Sequence, residues 1–101
     1  MLLYEVTVEV HQEHAARYQA YMRQTHIPAI FATGCFVDVA FCVSGTGRFK
    51  TVYRAAHQAA LDGYLAQHAP AFRADFAANF PAGAAVTRET WNALQSWGAD
   101  A

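Results

Sequence analysis

The sequence predicts an α+β fold of ferredoxin-like βαββαβ order: a four-stranded antiparallel sheet with two helices on one face. Three observations predict it. Leu2 to Val10 alternates with period two. Stripes of helical period follow at Ala15, Tyr18, Met22 and Thr25, and again at Leu61, Tyr64, Leu65, His68, Phe72 and Phe76. Between the stripes, Ser44-Gly45-Thr46-Gly47 joins two runs rich in Phe and Val, as a short hairpin loop does.

Each element follows in order. In the first strand Leu2, Tyr4, Val6, Val8 and Val10 share one face, and Leu3, Glu5, Thr7 and Glu9 share the other. The first helix is expected over Gln12 to Thr25. Pro28 cannot continue its hydrogen bonding, so the helix should stop or kink near His26. Pro28 can open a short second piece that runs to Thr33 and ends at Gly34. Cys35 to Val43 reads as the second strand and Arg48 to Ala56 as the third. The second helix should begin near His57 to Ala59, with Pro70 marking a kink or a break. Asn79 to Gly83 is a turn, and Ala84 to Leu94 is the last strand, ending near Trp91. Residues 1–94 then form one domain, and 95–101 a tail that Trp97 could pin down. Right-handed crossovers set the strands in the order four, one, three, two. A short internal repeat agrees with this order. Tyr21-Met22-Arg23-Gln24-Thr25-His26-Ile27-Pro28-Ala29 resembles Tyr64-Leu65-Ala66-Gln67-His68-Ala69-Pro70-Ala71 with one residue dropped.

Composition narrows the function classes. The chain has 101 residues, of which 54% are apolar and 15% charged, against about 25% charged in an average soluble protein. Part of such a surface is expected to be covered, and a second copy of the chain is the simplest cover. Net charge is −1, and the seven Lys and Arg form no basic run, so no nucleic-acid footprint is present. The third strand also lacks the glycine spacing of an RNA-stacking strand at Arg48-Phe49-Lys50-Thr51-Val52-Tyr53. No apolar run reaches 18 residues, so no membrane span is expected. The start of the chain has no basic leader region, which makes the cytoplasm the default location. Cys35 and Cys42, about 23 Å apart on one strand and on opposite faces, cannot pair with each other.

Helices cover one sheet face only. The second face should carry Leu3, Glu5, Thr7 and Glu9 beside Lys50, Val52 and Arg54, with Asp38, Ala40 and Cys42 completing it and Phe36 nearby. One reading is a solvated face laced with ion pairs. The other, favoured by the apolar residues among the charges, is two sheets packed face to face in a dimeric α+β barrel.

Several landmarks resemble a small bacterial family catalogued as domain-of-unknown-function family number 4286. They are Leu3-Tyr4-Glu5-Val6-Thr7-Val8, His26-Ile27-Pro28, Thr33-Gly34-Cys35-Phe36, and Tyr64-Leu65-x-x-His68-Ala69-Pro70-Ala71-x-Arg73. The resemblance runs from Leu2 to about Glu89. It implies a ferredoxin-like dimeric barrel and no particular activity. Lys50 and Arg54 depart from the more apolar third strand of that pattern.

His26 and His68 are the candidates for catalysis, since an imidazole near pH 7 accepts or donates a proton. Each sits by a helix break, where a packing histidine that satisfies free carbonyls is the simpler reading. Tyr53, Arg54, Glu5 and Cys35 are the candidate ligand contacts. Cys35 as a nucleophile would need a base such as His26, and a packing thiol is the simpler reading. Glu5 and Glu9 suggest paired carboxylates, with neutralisation by Lys or Arg as the simpler account. His11 and His14 lack further ligands, so no metal is expected, and the hairpin loop leads into a strand, so no phosphate-bearing cofactor is expected either. The expected function is a homodimeric, small-ligand-binding or non-catalytic barrel. The alternative is a cofactor-independent enzyme, monooxygenase- or isomerase-like, acting on a small aromatic or apolar molecule between sheet and helices. In that case His26, His68, Tyr53 and Arg54 would serve as acid–base and anchoring groups.

Overall fold

The computed structural model describes residues 1–98, so the last three residues of the expected 95–101 tail lie outside the described residues. Strand β1 is Leu2–Val10, β2 Asp38–Ser44, β3 Arg48–Ala55 and β4 Ala84–Asn92. The sheet order is β2-β3-β1-β4 and every neighbouring pair is antiparallel, as the βαββαβ reading requires. Alternation sets the register. Leu2, Tyr4, Val8 and Val10 of β1 are buried under the helices with Phe49, Thr51, Tyr53 and Ala55 of β3, and a one-residue slip would turn all of them outward.

The first helical unit is one continuous run with a change of winding. A single 3₁₀ turn over Gln12–His14 leads into α1, Ala15–Tyr21, then a π-helical turn, Met22–His26, then α2, Ile27–Phe31. The helix therefore does not stop at His26. The wider π turn, in which the Ile27 N–H bonds back to the Met22 carbonyl, lets the helix axis continue into the segment opened by Pro28. Gly34, at φ +78°, ends the run as expected. In the second unit α3, Gln58–Gln67, and α4, Ala69–Asn79, are separated by a break at His68, with Pro70 in the first turn of α4. His57 caps α3, its Nδ1 accepting from the Ala60 N–H at 3.2 Å, and His11 caps the 3₁₀ turn by accepting from the Glu13 N–H at 3.3 Å.

Three expectations are corrected. The second strand begins at Asp38 and not at Cys35, because Cys35 is still held in the turn after Gly34 by the Thr33 hydroxyl. Ladder bonding to β3 starts only with the Val37 N–H on the Arg54 carbonyl, at 2.7 Å. Phe36 is a core residue, packed on Tyr53 and Tyr64, and does not belong to the open sheet face. Trp97 pins nothing among the described residues: it is 79% exposed and Leu94 97%.

The core is divided. One cluster centres on Tyr4, Phe36, Tyr53, Leu61 and Tyr64, the other on Val8, Tyr18, Met22, Phe49 and Phe80. Val6, on the middle of β1, packs against both. Where the two clusters meet, the helices do not fill the space above the sheet.

Candidate functional site

That space is a cleft of about 40 Å³, floored by Val6 and walled by His26, Tyr18, Tyr64, Arg73 and Arg88. A water needs about 10–15 Å³ of such volume, so the cleft has room for about three. Its polar groups come from seven elements: Tyr4 from β1, Tyr18 from α1, His26 from the π turn, Tyr53 from β3, Tyr64 from α3, Arg73 from α4 and Arg88 from β4. Arg88 enters it because Ala84, Val86 and Arg88 are in phase on the helix-facing side of β4, with Arg88 opposite Val6.

A hydrogen-bonded chain fixes the histidine. The Tyr21 hydroxyl donates to Asp75 Oδ2 at 2.5 Å and lies 3.1 Å from His26 Nδ1. An ionised carboxylate only accepts, so the single tyrosine proton goes to Asp75 and the Tyr21 oxygen accepts from His26. His26 is thereby assigned the Nδ1–H tautomer, and Nε2 keeps its lone pair. Burial pushes the imidazole pKa down to about 4. The Asp75 charge opposes that shift and the Arg88 charge adds to it. The ring is neutral at pH 7. Tyr21 is held protonated by burial and by Asp75, both of which raise its pKa above the ordinary tyrosine value.

On the same walls, Arg73 Nη2 donates to the Tyr4 hydroxyl at 3.0 Å. The Tyr18 side chain is completely buried and its hydroxyl has no hydrogen-bond partner. Buried hydroxyls are rarely left so, because desolvation without a bond costs about 1–3 kcal/mol.

The structure brings together only part of the sequence-derived set. His26 and Tyr53 both line the cleft, with the Tyr53 hydroxyl kept protonated by burial. His68 does not line it; it sits at the α3–α4 break, its N–H donating to the Tyr64 carbonyl at 2.9 Å and its ring stacked on Tyr64. Arg54 and Glu5 lie on the opposite face of the sheet, since β1 and β3 alternate and both residues are out of phase with the buried positions. There Arg54 forks onto Asp38, Nε to Oδ1 at 2.7 Å, and that bond holds the Asp38 carboxyl below its usual range. Lys50 faces Glu5 at 3.4 Å and Arg48 faces Glu9 at 3.8 Å. Glu5 and Glu9 are about 13 Å apart by strand rise, so no carboxylate pair forms. Cys35 packs against the first core cluster, and among the described residues no hydrogen bond joins it to His26. Among the described residues no group of three His, Cys, Asp or Glu could hold a metal ion, and no helix is long and apolar enough to cross a membrane.

Tyr21, Asp75, Arg73, Arg88 and Tyr18 are site residues that the linear reading passed over. Arg88 alone left a usable sign, a charge in phase with Ala84 and Val86. The Tyr21–Asp75 bond joins residues 54 positions apart and left none.

A four-stranded sheet under one layer of helices, with a polar cleft between them, defines this as a ferredoxin-like α+β protein. Two solved structures share that fold. One is the NE2512 protein of unknown function from Nitrosomonas europaea, with TM-score 0.66, 17% identity, and 96% of this chain and 94% of that one covered. The other is a provisionally named antibiotic biosynthesis monooxygenase from Deinococcus radiodurans, with TM-score 0.64, 19% identity and 97% of each chain covered. No curated protein matches the chain. The model of the domain of unknown function DUF4286 matches residues 1–94, and the chain belongs to that family.

Proposed function

We propose that this protein is a homodimeric α+β barrel that binds a small molecule in the cleft between its helices and its sheet. The observation that carries the reading is the Asp75–Tyr21–His26 chain. It ends in a neutral, oriented imidazole on a cleft that is also lined by Tyr18, whose hydroxyl is unbonded. Structure that served packing alone would be expected to satisfy both groups internally. The cleft is concave, mostly apolar, and carries a few convergent polar groups, which is the general form of a ligand site. Its size limits the ligand to a few non-hydrogen atoms unless a wall residue such as Phe72 moves aside.

The homodimer is supported by the open sheet face. Leu3 and Val52 are only partly covered there, and Trp91, opposite Leu3 on the edge strand, is 49% exposed. A ligand that binds the folded state stabilises it by mass action. Thermal melting with small acids, small aromatics and quinones should therefore reveal a stabilising compound, and His26→Gln should reduce its shift. A panel in which no compound moves the melting temperature refutes the ligand-binding reading.

A second reading, a cofactor-independent enzyme, is favoured by one specific feature. With Nδ1 bonded to Tyr21, Nε2 of His26 is unprotonated at neutral pH, as a general base must be. The Deinococcus radiodurans protein carries a monooxygenase name on the same fold, which is an analogy at the level of fold. Turnover of a cleft ligand that disappears in His26→Gln while binding persists would establish this reading. Binding without turnover would leave the protein a binder.

A further inference from the structure

We infer that the cleft takes a short monocarboxylate, held between the guanidiniums of Arg73 and Arg88 with the Tyr18 hydroxyl as an additional donor. The inference rests on the reading of the cleft as a ligand site and specifies what that site selects.

The first ground is charge. Arg73 on α4 and Arg88 on β4 reach one cleft from opposite layers, and among the described residues neither has a carboxylate within salt-bridge distance. Arg48 and Arg54, on the other face, each have an acid. Asp75, the acid whose charge acts on His26, is engaged by Tyr21. Arg73 and Arg88 are exposed residues at the rim of the cleft, where water screens their charges, and an anion that reaches both gains from the two together. Both charges are felt inside: they favour ionisation of Tyr64, although burial outweighs them and leaves its pKa raised.

The second ground is the donor set. Tyr18 is a fully buried hydroxyl without a partner. Tyr4 accepts from Arg73, which leaves its own proton free to donate. The polar groups around the cleft are thus mostly donors, and they suit a ligand that is mostly acceptor. A carboxylate presents a flat pair of oxygens, the shape a guanidinium fork grips best. The remaining walls, Val6, Ile30 and Phe72, are apolar and suit a short hydrocarbon stub. Nε2 of His26 can only accept in the assigned tautomer and suits a ligand hydroxyl, so a 2-hydroxy acid should bind more tightly than the unsubstituted acid.

The test is titration of the folded protein, followed by amide NMR in chloride-free buffer at pH 7.5, with acetate, glycolate and pyruvate. Acetamide and glycolamide serve as neutral controls and inorganic phosphate as a competing anion. Carboxylates should shift the signals of Tyr18, Arg73 and Arg88, glycolate at lower concentration than acetate. Arg88→Gln and Arg73→Gln, each checked for a native spectrum, should weaken binding tenfold or more, and Arg88→Lys should restore part of it. Amides binding as well as the acids, phosphate binding more tightly than any of them, or unchanged affinity in both glutamine variants would overturn the carboxylate assignment alone. No response to any compound would overturn it together with the cleft reading.

Discussion

His26 shows how burial sets chemistry at a single residue. Its pKa falls from 6.5 to about 4 in the folded protein, chiefly by desolvation. A histidine with a depressed folded pKa disfavours the folded state in acid. Above pH 6.5 neither folded nor unfolded His26 carries the proton and nothing is lost. Between pH 6.5 and about 4 the unfolded chain takes up a proton that the folded chain refuses, and stability falls by about 3 kcal/mol. Below about pH 4 this contribution is constant. His26→Gln should remove that part of the pH dependence, which denaturant melts at pH 7.5, 5.5 and 4.0 will check. Tyr21→Phe removes the link between Asp75 and His26 and should destabilise by about 1 kcal/mol. It also frees the imidazole tautomer, which nitrogen NMR of the ring reads directly.

At the scale of elements, the internal repeat has a geometric counterpart. Tyr21 and His26 are five residues apart, Tyr64 and His68 four, yet in both pairs the rings lie together, at 5.3 and 6.3 Å between centroids. The extra residue of the first copy is absorbed by the π turn Met22–His26, whose hydrogen-bonded ring holds one residue more than an α turn. Deleting Gln24, an exposed residue within that turn, should therefore leave the protein folded with a regular α-helical junction. Deleting Ala20 within α1 should rotate Tyr18 out of the core and unfold the protein. Circular dichroism melts distinguish the two. Gly34→Ala should cost about 1 kcal/mol through backbone conformation alone, since φ there is +78° and no atom lies within 4 Å of an added Cβ.

At the scale of the whole molecule, the second face of the sheet holds three ion pairs around Leu3 and Val52. Exposed pairs of this kind contribute about 0–1 kcal/mol each, so they do not explain the face. The proposed twofold partner does, by covering Leu3, Val52 and Trp91. Size-exclusion chromatography with light scattering should give twice the 11.1 kDa chain mass. Leu3→Asp should halve it while the cleft residues keep their NMR signals. A wild-type monomer at micromolar concentration contradicts the dimer.

Local patterning determined the order of elements, the sheet topology and most strand boundaries. The period of apolar residues, the glycine loop and the prolines act over a few neighbours and are written in the linear chain. Packing decided the rest. Whether the helix broke at Pro28 depended on a π turn, and whether Phe36 faced the core depended on where β2 began. His26 was visible as a candidate by its place beside a proline. The carboxylate, tyrosine and arginines that give it a setting come from α1, α4 and β4. Charge and desolvation act through space, so only the tertiary structure could show that His26 and the two arginines line one cleft while Arg54 and Glu5 lie on the other side of the sheet.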